Sequence, residues 1–181
     1  SAQLARIQSS SEKPDFIYVS SYMPDLATII RTIREAGINM PIVGGDTYDD
    51  PGLFDAVGAQ YGNDVYFVTH GFLSPDSNPR VADFIKSYKT KYGKDPEALW
   101  IMPGYDVVYL LKKAMEIAGT TDGAAVAKAM ETNEFDNLTG HIKWSDAAGG
   151  HMPTKAAAIV MLQGGKPQFF GWITPASLPP K

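Results

Sequence analysis

Six polar side chains in the first seventy residues stand where recognition chemistry is easiest to build. They are Ser20, Ser21 and Tyr22 in SSYMPD, Asp46 and Thr47 in GGDTYDD, and His70 in VTHG. Each group follows a short run rich in β-branched and aromatic residues: DFIYVS, MPIV and DVYFVT. Hydroxyls and one carboxylate can hold a polar ligand, and Tyr22 adds a flat surface against which it can pack. A nucleophile would need a base within reach, and the sequence pairs none of these residues with one. The chemistry implied is recognition rather than reaction. A turn or helix-capping role is equally open to Asp46, as is packing at a helix start to Tyr22.

The elements that must position these residues follow from periodicity. Leu4 and Ile7 lie on one side of an amphipathic helix already under way at the first residues. Asp15–Ser20 reads as a buried strand. Pro24 and Asp25 then open a helix, whose buried face is Leu26, Ile29, Ile30 and Ile33 and whose stop is Gly37. A strand at Met40–Val43, a helix at Asp50–Gln60, a strand at Asp64–Thr69 and a helix at Pro79–Tyr92 continue the series. Strands alternating with helices at this spacing imply right-handed crossovers and a parallel sheet. Ligands meet such sheets outside the carboxyl ends of the strands, where the six residues stand.

The pattern changes after Lys94-Asp95-Pro96, the one candidate boundary. Ala98–Gly119 and Asp122–Thr132 read as helices. From Leu138 the chain turns to β, with strands at Gly140–Ser145, Ala156–Gln163 and Lys166–Ile173 and a hairpin signal at Gly164-Gly165. The tail Thr174–Lys181, with three prolines, is expected to wrap or fray.

Several function classes are disfavoured. The chain has no cysteine, which removes disulfides, thiolate metal sites and thiol catalysis. GxGxxG after a strand, GxxxxGK[ST], GxSxG and HExxH are all missing. Gly44-Gly45 could cradle a phosphate, but Asp46 follows at once and would repel it. The histidines His70, His141 and His151 are widely spaced and read as surface or structural residues. Net charge is −4, and the lysines near Lys86 to Lys94 line a helix that also carries an apolar stripe, so they form a solvated face and no nucleic acid is expected as partner. No run approaches the ~20 apolar residues of a membrane span, and no cofactor or metal is expected.

Longer segments carry a resemblance. DFIYVSSYMPDLATIIRTIREAGINMPIVGGD resembles the leucine/isoleucine/valine-binding proteins, the branched-chain amino-acid branch of the type I periplasmic solute-binding proteins of ABC transporters. NPRVADFIKSYKTKYGKDPEALWIMPGYDVVYLLKKAMEIAG is more specific, through Tyr88-x-x-x-Tyr92-Gly93-x-x-Pro96 and the following Gly104-Tyr105-Asp106. TGHIKWSDAAGGHMP resembles a hairpin of the same family. The likeness covers nearly the whole chain.

The resemblance implies an α/β fold: a Rossmann-like parallel-sheet lobe, incomplete, accompanied by helices from a second lobe. Residues 1–95 correspond to most of the C-terminal ligand-binding lobe, 96–140 to helices of the N-terminal lobe, and 141–181 to a β hairpin and tail returning toward the hinge. The N-terminal half and the opening strand of the C-terminal lobe have no counterpart, so a truncated chain is expected. Tyr22 matches the aromatic that flanks the ligand, and Trp100 an aromatic that covers the ligand's side chain. Asp46 matches the acid that pairs with the ligand's ammonium, where the family's pattern has a glutamate; the shorter side chain admits a bulkier ligand or weakens the pairing. The implied function is capture of an amino acid for import, without catalysis. The partners are then an ABC membrane permease and the missing half, and the location periplasmic, or extracellular on a lipid anchor. Two alternatives stay open: a small-molecule sensor on the same fold, and a binding protein for aromatic acids, amides or urea.

Overall fold

The computed structural model describes residues 2–97, 99–145 and 149–174. In chain order the elements are α1 (Ala2–Ser9), β1 (Ile17–Tyr18), α2 (Asp25–Glu35), β2 (Ile42–Gly44), a 3-10 turn (Asp46–Tyr48), α3 (Pro51–Tyr61), β3 (Val65–Thr69), α4 (Arg80–Tyr92), α5 (Ile101–Ala118), α6 (Gly123–Thr132), β4 (Glu134–Asn137), β5 (Gly140–Trp144), β6 (Pro153–Lys155), β7 (Ala157–Gln163) and β8 (Lys166–Ile173). The chain forms two compact units and passes between them at Thr69/His70, Ala158/Ile159 and Gly171/Trp172. The change of pattern near Pro96 thus falls inside the second unit, between α4 and α5.

In the first unit β1, β2 and β3 run parallel, with Ile17 opposite Ile42 and Val43 opposite Tyr66. Helices make the crossovers that parallel pairing requires. The apolar stripe of α2 buries Leu26, Ala27, Ile30 and Ile33. The Arg34 guanidinium in its last turn donates to the carbonyls of Ile38, Met40 and Asn63 at 2.7 to 2.9 Å, fastening the helix end to the loops that begin β2 and β3. Asp50 caps α3 by accepting from the Gly52 N–H at 2.7 Å, and Pro51 suits its first position.

The sheet continues past β3 in the order β1-β2-β3-β7-β8, so the expected parallel sheet is mixed. The turn between β7 and β8 uses Gly164 and Gly165, both with positive φ. Gly165 lies so close to the backbone of Gly58, where α3 is interrupted, that a β-carbon would collide with it. Its N–H donates to the Gly62 carbonyl at 2.9 Å, which joins the hairpin to the end of α3. The core of this unit is Leu26, Ile30, Ile42, Leu53, Val57, Val65, Phe67, Val160 and Leu162, all at 2% exposure or less. The first strand lies where the opening strand of the lobe has no counterpart in this chain. It is an edge with a two-residue ladder, and Phe16 and Tyr18 are 54% and 61% exposed.

In the second unit α4 and α5 meet over Val81, Phe84, Leu99, Met102 and Leu138. Helix α5 also packs with α6 and the antiparallel sheet β4-β5-β6 through Leu110, Ala114, Val126 and Phe135. Helix α5 begins at Ile101, and Ala98, where the sequence placed its start, lies outside the described residues. The β segment opens at Glu134, before Leu138, because Glu134–Asn137 pairs with β5 in the register Phe135 opposite Ile142. The short strand β6 was not legible in the sequence. Residues 175–181 of the tail and 146–148 of the hairpin lie outside the described residues. No helix among the described residues is long and apolar enough to cross a membrane.

Candidate functional site

The carboxyl ends of β1 and β2 bring five of the expected residues onto one rim of the first unit. After β1 the chain runs through Val19, Ser20 and Ser21 to Tyr22, immediately before α2. After β2 it enters the 3-10 turn that holds Asp46 and Thr47. The two loops are bonded together: the Thr47 hydroxyl donates to the Ser21 carbonyl at 2.7 Å, and the Tyr48 hydroxyl donates to the Val19 carbonyl at 2.8 Å. At the end of β3, the Thr69 hydroxyl donates to a carboxylate oxygen of Asp49 at 2.8 Å, so a third strand end is attached to the same turn.

Exposure separates the roles of these residues. Tyr22 is 72% exposed, which removes packing at the helix start as its role. Asp46 is partly buried in the first turn of the 3-10 helix. The cap of α3 is Asp50, so Asp46 does not serve there. Ser20 and Thr47 are exposed and Ser21 is partly so. Thr47 spends its hydroxyl hydrogen on Ser21, which leaves its oxygen lone pairs for a donor. A rim with one carboxylate, several hydroxyl oxygens and an exposed phenol ring suits a small ligand that has a hydrogen-bond donor group beside an apolar part.

Tyr48 was not expected. It is fully buried, with its ring 6.0 Å from that of Phe67. The ring lies directly against Gly44, where any side chain would collide with it. Burial pushes its phenol well above the ordinary tyrosine range. The only signal in the sequence is the Gly44 to Tyr48 spacing, and a glycine four residues before an aromatic is too common to read.

The second unit holds Trp100 and His70. Trp100 stands at the start of α5, 46% exposed, with its ring edge-on to His70 at 5.2 Å. Nearby, the Lys155 ammonium donates to the His70 carbonyl at 2.6 Å and lies 5.8 Å from the Trp172 ring. Burial pulls this lysine down to about 8. With Asp106, Thr139 and Trp144 it borders an apolar cavity of about 290 Å³. Among the described residues, no group of three or more His, Cys, Asp or Glu side chains is placed to hold a metal ion.

Comparison with known proteins gives a consistent answer. A family described as periplasmic binding protein matches residues 1–166. A leucine-, isoleucine-, valine-, threonine- and alanine-binding protein of Pseudomonas aeruginosa is 24% identical over 131 residues, which are 72% of this chain and 34% of that protein. A leucine-specific-binding protein of Salmonella typhimurium is 23% identical over 146 residues, 81% of this chain and 38% of that one. Among solved structures, a leucine-binding protein of Thermotoga maritima superposes with a TM-score of 0.77 at 32% identity, over 98% of this chain and 49% of that chain. A solute-binding protein of R. palustris in complex with benzoate gives 0.70 at 26% identity, over 97% and 47%. The chain spans about half the length of such structures and just over a third of the curated relatives. Each of these relatives is named as a binding protein. With 166 of its 181 residues matched, the chain belongs to the periplasmic binding protein family.

Proposed function

We propose that this chain is part of the substrate-binding component of an ABC importer and contributes one side of a site for an amino acid, branched-chain or related. The observation that supports this reading best is Asp46. It is partly buried at the carboxyl end of β2, in a turn bonded to the loop that presents Tyr22. An α-ammonium group would meet the carboxylate in a charge-assisted hydrogen bond, and an aliphatic side chain would lie on the aromatic surface. Tyr22, Ser20, Ser21 and Thr47 form the rest of this face, and Trp100, in the other unit, is a separate candidate for packing on a ligand's side chain. The names of the relatives support an amino acid. The complete protein would deliver its ligand to a membrane permease from the periplasm, or from the cell surface on a lipid anchor.

The test compares an amino acid with its deaminated analogue in a protein that carries both lobes. Removing one partner of a buried charged pair costs on the order of 2–5 kcal/mol. Asp46→Ala should weaken leucine binding by roughly thirty-fold to several thousand-fold. It should leave 4-methylpentanoate nearly unaffected. Equal binding of the two by the wild type would refute an ammonium site. In that case the benzoate complex of the R. palustris relative favours a second reading, an aromatic carboxylic acid packed on Tyr22.

A further inference from the structure

Tyr48 is out of place as a simple core residue. Phenylalanine would fill the same space without a polar group to satisfy, and burying a hydroxyl is favourable only when it is bonded. Here the phenol reaches past β2 to the end of β1 and donates to the Val19 carbonyl at 2.8 Å. Its neighbour Thr47 donates to the Ser21 carbonyl at 2.7 Å. Two consecutive residues of the 3-10 turn therefore grip two carbonyls of the segment that delivers Tyr22. Asp46 is the residue just before them. The grip has little play, because the Tyr48 ring is closed in by Phe67 on one side and by the bare backbone of Gly44 on another.

We propose that Tyr48, with Thr47 beside it, is a positioning residue of the ligand site. The pair sets the separation and angle between Asp46 and Tyr22, and through them the preference for a ligand with an ammonium group over its deaminated analogue. This rests on the reading of Asp46 as an ammonium acceptor. A carboxylate free to swing loses directional hydrogen bonding to an ammonium group, whereas apolar contacts tolerate the same movement. Tyr48 touches no ligand itself and acts through Asp46.

Tyr48→Phe keeps the ring and deletes only the donor; Thr47→Val is the second, milder variant. Both are measured for leucine and 4-methylpentanoate by calorimetry in a protein carrying both lobes, alone and combined with Asp46→Ala. Amide exchange is followed at residues 19–22 and 46–48. Tyr48→Phe should weaken leucine about five- to tenfold, since Asp46 is then held less firmly toward the ammonium group, and 4-methylpentanoate less than about twofold. The effect should vanish in the Asp46→Ala background, since coupled residues are not additive. Exchange at residues 19–22 should quicken while β3 stays protected. Equal weakening of both ligands, or the same loss with Asp46 already removed, would show a merely structural role and overturn the proposal. So would unchanged leucine binding in Tyr48→Phe. If Asp46→Ala leaves leucine binding unaltered, the ammonium reading has failed by itself. Exchange then decides whether Tyr48 joins the two loops, and an unchanged rate at residues 19–22 would refute that as well.

Discussion

The carboxylate of Asp106 accepts three hydrogen bonds from one short stretch of chain: from the N–H of Leu138 at 2.8 Å, and from the N–H and the hydroxyl of Thr139 at 2.9 and 2.6 Å. Asp106 is 5% exposed and Thr139 is 4% exposed. The acid of the Gly-Tyr-Asp motif thus holds the turn between β4 and β5 against α5. Asp106→Ala would leave three buried donors without an acceptor. Each such loss costs about 1–3 kcal/mol, and relaxation recovers part of the sum. Urea denaturation should show a loss of about 3–5 kcal/mol, at the upper end for one substitution. A loss below about 1 kcal/mol would mean the turn holds its shape without the carboxylate. Thr139→Val should cost less, since it deletes only one of the three bonds.

Lys155 gives a pH dependence of definite sign. Below about pH 8 its ammonium is charged in the folded and the unfolded chain alike, and the folded state bears the whole cost of desolvation. Between about 8 and the ordinary lysine value of 10.5 the unfolded chain keeps a proton that the folded chain has released, so this group makes stability rise with pH. Partial exposure limits the gain to about 1 kcal/mol. The check is denaturation at about pH 7.5 and pH 9.5 for the wild type and Lys155→Met. The wild type should gain relative to the variant. A difference that stays constant between the two pH values would mean that Lys155 titrates as an ordinary surface lysine.

His141 titrates in the opposite sense. Its hydrogen bond to Asp136 raises it above the ordinary imidazole value against an opposing desolvation effect, and the charges of Asp136 and Glu134 add to the rise. Lys143 pairs with the same Glu134 at 2.9 Å and competes for it. The histidine's contribution to stability is fully present below the unfolded value and fades as pH rises through the folded one. Titration of its ring protons by NMR should place it above the free imidazole, and Asp136→Asn should bring it back down. An unmoved titration in that variant would assign the shift to Glu134 instead.

Trp100 is expected to act by packing. Its ring is 46% exposed and held edge-on by His70. If it covers a ligand's side chain, Trp100→Ala should weaken leucine more than alanine, by about 1–2 kcal/mol of buried apolar surface. The measurement is the ratio of the two affinities in a protein with both lobes. A parallel fall for both amino acids would place Trp100 away from the side chain.

Much of the first unit was legible without coordinates. The spacing of Leu26, Ile30 and Ile33 determines a helix with one buried face, and Gly37 its stop, because these are properties of the chain over a few residues. The alternation of such helices with short β-branched runs dictates parallel strands, and parallel strands put Ser21, Tyr22, Asp46 and Thr47 on a single rim. The Tyr92-Gly93 and Gly104-Tyr105-Asp106 motifs likewise carried the family. Tertiary structure alone decided the rest, since those features depend on partners far apart in sequence. Glu134–Asn137 becomes a strand only because Gly140–Trp144 returns beside it. The phenol of Tyr48 finds its acceptor twenty-nine residues back, the carboxylate of Asp106 its donors more than thirty residues on, and Lys155 the carbonyl of His70 across eighty-five. Local pattern sets which side chains are available at the rim, and long-range hydrogen bonding sets where they are held.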